Sequence, residues 1–313
     1  MVESNKQQDQ ESLPPQAIVM QMVVGAWVSQ AISAITRLDI PDLLKEHGPQ
    51  TALELTDALG VRAKPELLQR VMRACASLSI FTESDSGRFG STPLSEVLTA
   101  NSPVSIKKLT EIFGASWWKV WGGLENAVRT GESQPKAVFG LGYWDYCRSN
   151  PNEMEAFGEA MKSNSLASIR GVLEHCDFSS VGKVVDIGGG FGHLVIALLK
   201  KHKPLRGVVA DLPDIIPIAR KHLQSEDKDV IHRLEFVGGD MFEKVPLADA
   251  FILKHIIHDW DDAHCIQLLR NCTSSLQPGG RVICVDSVLP PMGNTSGTQA
   301  KLLDVVMLVF DMG

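Results

Sequence analysis

The chain has 313 residues, of which 44% are hydrophobic and 21% charged, enough to build two globular domains. Its formal net charge of −7, without a Lys/Arg-rich stripe, argues against a nucleic-acid partner, because phosphate binding needs a basic surface. The apolar stretch from Ala17 to Ile35 is interrupted by polar residues and lacks a basic leader, so we predict neither a signal peptide nor a membrane span. Six scattered cysteines without C-x-x-C spacing support neither a zinc site nor a disulfide framework. These features predict a cytoplasmic protein without a membrane partner.

The amino-terminal third is predicted to be a helical domain. Residues 1–15 form a polar tail that we expect to be disordered, and residues 16–104 show helical patterns followed by a two-stranded wing. The first long helix, from Gln16 onward, is apolar around most of its circumference, which is unusual for an isolated surface helix. Burial inside its own domain would explain this pattern, as would packing against a second copy, and we favour the second copy.

Residues 105–170 form a helical segment rich in aromatic side chains. Flat apolar groups suit an aromatic or polyketide-like ligand, although most aromatic stripes at helical spacing belong to a core. We therefore expect each of these aromatic residues to lie in the core.

The most informative segment is KVVDIGGGFGH, from Lys183 to His193. An apolar strand runs through Asp186 into a glycine turn and then a helix, which allows a backbone to approach a ligand closely. The dinucleotide pattern G-x-G-x-x-G fits poorly, because its third glycine, Gly192, comes one residue early. This disfavours NAD and FAD and suits an adenosyl ligand with an amino-acid tail, while a structural glycine turn stays possible.

Acidic residues recur at the ends of the later strand-like segments. Asp211 follows RGVVA and could accept the hydroxyls of a ribose. Asp240 follows LEFVGG, and the apolar Met241 beside it suits an adenine ring. His258 follows the strand AFIL, and Asp286 ends the strand RVICV, so the two could converge at one sheet edge. Each acidic residue alone would more often be a turn or cap residue.

The ordered set DIGGG-G, ADLP, GGDMF, LKHIIHDW and QPGGRVI-VDSVLP resembles the class I S-adenosylmethionine-dependent O-methyltransferases of the caffeate, hydroxyindole and antibiotic-tailoring group. The resemblance implies an α/β fold, a Rossmann-like sheet over residues 171–313 with a winged-helix-like domain before it. It also implies a homodimer, S-adenosylmethionine as cofactor, S-adenosylhomocysteine as product and no metal. The implied donor ligands are Gly188, Asp211, Asp240, Met241, Lys254 and Ser165. The implied acceptor-side residues are Met161 and Asp259.

The resemblance also implies the catalytic group. His258 is the predicted general base, since the ordinary histidine pKa of about 6.5 leaves the ring largely neutral near pH 7. Asp286 would orient its ring, in a position where plant-type relatives carry the longer Glu. His255 is another possible base. The expected reaction is methyl transfer to a hydroxyl group of a small aromatic or polyketide-like molecule.

The chain stops at Gly313, where relatives continue through another helix and the last strands of the sheet. Either the sequence is a shortened form of a longer protein, or the sheet ends early, in which case we expect it to show an unpaired edge. Two other function classes stay open: a protein of the same fold that binds S-adenosylmethionine but catalyses another reaction, and a non-enzymatic winged-helix regulator.

Overall fold

The computed structural model describes residues 13–60, 64–223 and 227–310, so the predicted tail lies largely outside the described residues. Two compact units divide the chain, Met1–Ala115 and Ser116–Gly313. Our finer division, with a separate segment over residues 105–170, stays a prediction.

The first unit is mainly helical, with one small sheet. Its elements in chain order are α1 (Pro15–Val23), α2 (Gly25–Arg37), α3 (Ile40–His47), β1 (Gln50–Thr51), α4 (Ala52–Leu59), α5 (Pro65–Ser77), β2 (Phe81–Glu83), β3 (Arg88–Ser91), α6 (Pro93–Glu96) and α7 (Lys107–Phe113). Strands β2 and β3 are antiparallel, and β1 adds a short third strand beside β3 that the sequence did not predict.

Local sequence explains where α4 begins. The Thr51 side chain accepts a hydrogen bond from the Glu54 backbone N–H, and the Glu54 carboxylate accepts one from the Thr51 backbone N–H at 2.7 Å. This reciprocal cap satisfies two N–H groups that a helix start leaves unpaired. Arg88 of β3 also donates to Glu54 at 2.7 Å, which ties the small sheet to this helix.

The apolar stretch at the start of the chain forms two helices, α1 and α2, which meet at Val24. Residues 15–37 are long and apolar enough to cross a membrane by length and composition, with a mean hydropathy of 1.6 over the best window, which is weak evidence for a span. Only 11% of that window is buried in the chain itself. Met22 and Trp27 are each 73% exposed, so this apolar surface is not covered by the described residues of the same chain.

The second unit carries the main sheet. Its elements are α8 (Ser116–Trp121), α9 (Leu124–Thr130), α10 (Pro135–Phe139), α11 (Tyr143–Ser149), α12 (Pro151–His175), β4 (Lys183–Ile187), α13 (His193–Lys201), β5 (Arg206–Asp211), α14 (Ile215–Lys221), β6 (Leu234–Gly238), β7 (Ala248–Lys254), α15 (Asp262–Ser274), β8 (Leu276–Val285) and α16 (Thr298–Phe310). Two 3-10 turns cover Ile231–Arg233 and Ile257–Asp259.

The five strands are parallel, in the order β6-β5-β4-β7-β8. The chain runs outward from β4 to β6 and then returns to the other side of β4, so the connections diverge at the carboxyl end of β4. Ligands bind at such a switch point in open parallel sheets. The predicted Rossmann-like fold is confirmed. Among the described strands, β8 pairs with β7 alone and forms an edge of the sheet.

Both faces of the sheet are buried, as expected for parallel strands. Val184 of β4 packs into the cluster that includes α12 and α13 residues, whereas its neighbour Val185 packs into the cluster that includes α15 residues. This alternation follows the two-residue period of a strand.

Aromatic side chains fill the helical layer before the sheet. Trp117 donates to the Tyr143 hydroxyl at 2.8 Å inside the core, and the Phe310 ring lies 4.5 Å from Trp117. The expectation of a core position is confirmed for Trp117 and Tyr143, which are 6% and 2% exposed, and is wrong for Phe113 and Trp118, which are 41% and 39% exposed.

Candidate active site

The glycine turn after β4 has backbone angles that favour glycine. Gly188, Gly190 and Gly192 have φ of +63°, +55° and +82°, in the left-handed region. A Cβ on Gly188 would lie 2.4 Å from Cδ1 of Ile256, so a larger residue would have to displace that side chain and would also strain the backbone. The turn brings backbone close to the carboxyl edge of the sheet, where a ligand can contact it.

Asp211 ends β5 beside this turn. Its carboxylate accepts hydrogen bonds from the backbone N–H of Gly190 and of Leu212, both at 2.7 Å. Burial raises the pKa of Asp211, while the same two hydrogen bonds oppose the shift. A carboxylate offers about four acceptor positions, so two remain for ligand hydroxyls.

Asp240 and Met241 follow β6, next to β5 in the sheet. The Asp240 carboxylate accepts a hydrogen bond from the Phe242 backbone N–H at 2.8 Å and is exposed. Met241 is half-buried, and the Phe242 ring packs edge-on against Trp260, with centroids 4.5 Å apart. An exposed carboxylate thus lies next to an apolar surface, as the sequence predicted.

Helix α12 lies over the carboxyl edge of the sheet. Lys254, at the end of β7, donates to the Ser165 hydroxyl at 2.9 Å, and Ser168 is 3.0 Å from Nε2 of His255. Met161 is half-buried one turn before Ser165, so these three α12 residues share one helix face. That face is the one turned toward the end of β7.

Asp186 is a residue that our sequence analysis mentioned without assigning it a role. It is 1% exposed, and neither carboxylate oxygen has a hydrogen-bond partner among the described residues. Burial raises the pKa of Asp186 to about 7, against the opposing effect of the Lys254 charge. The sequence signal that could have identified Asp186 as a candidate site residue was its charge inside the apolar run VVDI.

These features fit S-adenosylmethionine. A buried carboxylate without a partner suits a ligand that brings its own positive charge or hydrogen-bond donor. A Cβ on Gly189 would lie only 3.0 Å from the Asp186 carboxylate, so a side chain at this position would crowd that carboxylate. Gly188, Asp211, Asp240, Met241, Lys254 and Ser165 line the same sheet edge or the helix over it.

His258 lies in the turn Ile257–Asp259, directly after β7. Its Nδ1 contacts the Asp286 carboxylate, and its Nε2 is 3.2 Å from the Asp259 carboxylate. The His258 backbone N–H also donates to Asp286 at 3.3 Å. The structure thus brings together His258 and Asp286, which are 28 residues apart in the sequence.

The charge of His258 differs from our prediction of a largely neutral ring. Burial lowers the pKa of His258, but hydrogen bonds to Asp259 and Asp286, and their charges, raise it to about 9. The pKa of Asp286 is lowered because its contacts with His258 outweigh burial, whereas burial dominates for Asp259 and raises its pKa. The pKa of His258 is raised because a carboxylate faces each ring nitrogen.

His255 behaves in the opposite way. Burial, followed by the nearby Lys254 charge, lowers the pKa of His255 to about 4, so its ring is neutral near pH 7. Its φ is +56°, an unusual value for a residue with a side chain. Ligand atoms of His255, His258 and Asp286 lie within 4.8 Å of one another, a spacing that could also hold a metal ion.

Comparisons with known families agree with this site. Residues 121–313 match the O-methyltransferase domain, and residues 20–101 match the O-methyltransferase dimerisation domain. The second match includes most of the exposed apolar surface of α1 and α2.

Individual relatives agree. The phenazine O-methyltransferase PhzM of Lysobacter antibioticus is 35% identical over 95% of this chain and 86% of that protein. The mitomycin biosynthesis 6-O-methyltransferase of Streptomyces lavendulae is 32% identical over 93% and 82%.

Solved structures show the same fold. LaPhzM superposes with a TM-score of 0.89 at 35% identity, covering 95% of this chain and 88% of that one. Human N-acetylserotonin methyltransferase, solved with S-adenosylmethionine, gives 0.87 at 27% identity, covering 96% and 87%. The parallel sheet, the glycine turn and these matches together show that the chain belongs to the S-adenosylmethionine-dependent O-methyltransferases.

Proposed function

We propose that the protein methylates a hydroxyl group of a small aromatic or polyketide-like molecule, with His258 as the general base. The observation that carries this proposal is the His258 imidazole held by Asp286 and Asp259 at the edge where the donor residues end. The names of relatives support the acceptor class, since they include a phenazine and a mitomycin O-methyltransferase and caffeic acid 3-O-methyltransferases.

In this proposal the donor is held by the residues that the resemblance implied. Asp211 accepts the ribose hydroxyls, Asp240 and Met241 receive the adenine, Ser165 contacts the amino-acid tail, and Gly188 and Lys254 also bind the donor. S-adenosylmethionine, when bound, supplies a methyl group on a positively charged sulfur, a strong electrophile. The protein's own task is to position the acceptor oxygen and remove its proton.

His258 can remove that proton only in its neutral form. With a pKa of about 9, roughly one ring in a hundred is neutral at pH 7, but that ring is a stronger base than an ordinary histidine. Asp286 then stabilises the imidazolium that forms, as in other His–Asp pairs. Met161, on the helix face above, and Asp259 are the proposed acceptor contacts.

The test replaces His258 by Ala. We expect kcat to fall by about 10²-fold or more, while the calorimetric Kd for S-adenosylhomocysteine changes little. His264→Ala is the matched control, since His264 is an exposed histidine six residues away that pairs with Asp261. Methyl transfer would be followed on a phenolic panel that includes caffeic acid and hydroxyphenazines.

A pH profile and a second variant distinguish His258 from His255 as the general base. Because His255 is already neutral at pH 7, a His255 base would give a rate that does not rise between pH 7 and 9. Retained activity in His258→Ala together with a large loss of activity in His255→Gln would show that His255, and not His258, is the general base.

We further propose a homodimer in the cytoplasm, built on the exposed apolar surface of α1 and α2. The match to a dimerisation domain and the exposure of Trp27 and Met22 support it. Trp27→Lys should therefore shift the sedimentation mass toward the monomer, because a charge would be buried without a partner. Leu247→Lys, at an exposed leucine of the other unit, should leave the mass unchanged.

A further inference from the structure

The glycine turn contains one large side chain, Phe191, and its ring points away from solvent. Phe191 is 5% exposed and lies between Gly190 and Gly192, which both have left-handed φ. On one side the ring meets α12 at Gly158, where a Cβ would come within 2.2 Å of the ring. Helix and ring approach this closely only because residue 158 is glycine.

His222 covers the Phe191 ring from another element. The imidazole and the phenyl ring are stacked, with centroids 4.1 Å apart and planes 9° apart. His222 follows the last residue of α14, where its backbone N–H donates to the carbonyl groups of Ile218 and Ala219. Its position is therefore fixed by the end of a helix rather than by a free loop.

Two carboxylates of α12 orient the His222 ring. Glu159 lies 3.0 Å from Nδ1, and Glu155, one helical turn earlier, lies 3.6 Å from Nε2. Glu159 is adjacent to Gly158 in the chain, so α12 contacts Phe191 directly and also through His222. We call Phe191, His222, Gly158, Glu155 and Glu159 the phenylalanine clamp.

We propose that His222 is a positioning residue for the methyl donor: through its stack on Phe191, the phenylalanine clamp holds the glycine turn in its ligand-binding conformation. A turn with four glycines in five residues has many alternative conformations, and ordering it on ligand binding would cost affinity. A buried ring inside such a turn removes much of that freedom before the ligand arrives. Pre-ordering of this kind raises affinity without a direct contact to the ligand.

The first test replaces His222. In His222→Ala we expect the Kd for S-adenosylhomocysteine to rise about 3- to 10-fold, the range expected for a lost aromatic pair. The KM for S-adenosylmethionine should rise in parallel, while kcat at saturating donor stays within about twofold of wild type. His222→Phe keeps a ring for the stack and should restore most of the affinity. His232→Ala, at an exposed histidine in the turn Ile231–Arg233, is the control.

The second test approaches the ring from the helix. Gly158→Ala should displace Phe191 and weaken binding of S-adenosylhomocysteine, whereas Gly171→Ala, on the same helix with open space around its Cβ, should not. Hydrogen exchange in the ligand-free protein gives a readout independent of activity. Backbone N–H groups of residues 188–192 should exchange faster in His222→Ala and Gly158→Ala than in their controls.

Three results would overturn the proposal. The first is a folded His222→Ala protein with unchanged affinity for S-adenosylhomocysteine. The second is a His222→Phe protein that binds as weakly as His222→Ala. The third is a fall in kcat at saturating donor with unchanged affinity. If His222→Ala does not fold, the pair Gly158→Ala and Gly171→Ala decides the question, and equal affinity in that pair would contradict the proposal.

Discussion

The two halves of the site are built in different ways. The donor half consists of a glycine turn and strand ends, whose backbone conformation is determined by short segments of sequence. One side chain, Asp211, accepts hydrogen bonds from two backbone N–H groups there. The proton-transfer half consists of side chains from separate segments, and its central residue, His258, takes its charge from two carboxylates. Local sequence can therefore specify where a ligand lies, whereas the protonation state of a group depends on which distant residues reach it.

In the donor half, we expect the largest effect from removing the carboxylate of Asp211. Asp211→Ala should weaken S-adenosylhomocysteine binding by about 100-fold or more, because the ligand loses charge-assisted hydrogen bonds and the glycine turn loses its acceptor. Calorimetry would measure the Kd. Asp214→Ala removes an exposed carboxylate three residues later that makes no side-chain cap, and it should bind normally. Equal affinity in both variants would mean that Asp211 is not a donor ligand.

A smaller effect is expected from Asp286→Asn, which changes the proton-transfer half alone. Asp286 raises the pKa of His258, so its neutralisation lowers that pKa and the rate reaches its plateau at lower pH, by about 1 unit. The plateau itself should fall roughly 10-fold, because the imidazolium loses a stabilising carboxylate. A pH profile of kcat would show both changes. A rising limb at the wild-type position would contradict the proposed role of the pair.

The smallest effect concerns stability. The pKa of His258 is raised from 6.5 to about 9 on folding, so this group stabilises the fold fully below pH 6.5 and loses that contribution as the pH rises through about 9. Thermal unfolding should therefore show a steeper fall in Tm between pH 6.5 and 9 for wild type than for His258→Gln. Parallel curves would mean that His258 is not charged in the folded protein.

Much of the fold followed from the sequence because each strand of the main sheet had a local signal. The strands β4, β5 and β6 begin at the predicted residues, β7 begins two residues before the predicted AFIL, and their parallel order places the acidic ends together. The strand β8 begins five residues earlier than predicted, since the residues before RVICV, including Pro278 and two glycines, are incorporated into the strand beside an irregular register at β7. Pairing with a neighbour decided that boundary, which local propensity could not supply.

The candidate site was less fully predictable. His258 and Asp286 were paired correctly, yet the charge of the ring required the third partner, Asp259, whose carboxylate reaches the other nitrogen. The contacts of Phe191 with His222 and Gly158 left no sequence signal, because they join segments separated by more than 30 residues. For Asp186 the sequence offered the charge within an apolar run, but the lack of a hydrogen-bond partner for its carboxylate among the described residues became visible only in the structure.

Helix α12 is a single continuous helix that contacts both halves of the site. From Gly158, at the glycine turn, to Ser168, at His255, the helix rises about 15 Å. A small shift of this helix on binding one substrate therefore alters the surface that the other substrate meets. Thermodynamic linkage makes such an effect reciprocal, so the factor by which the donor changes the acceptor's affinity equals the factor by which the acceptor changes the donor's.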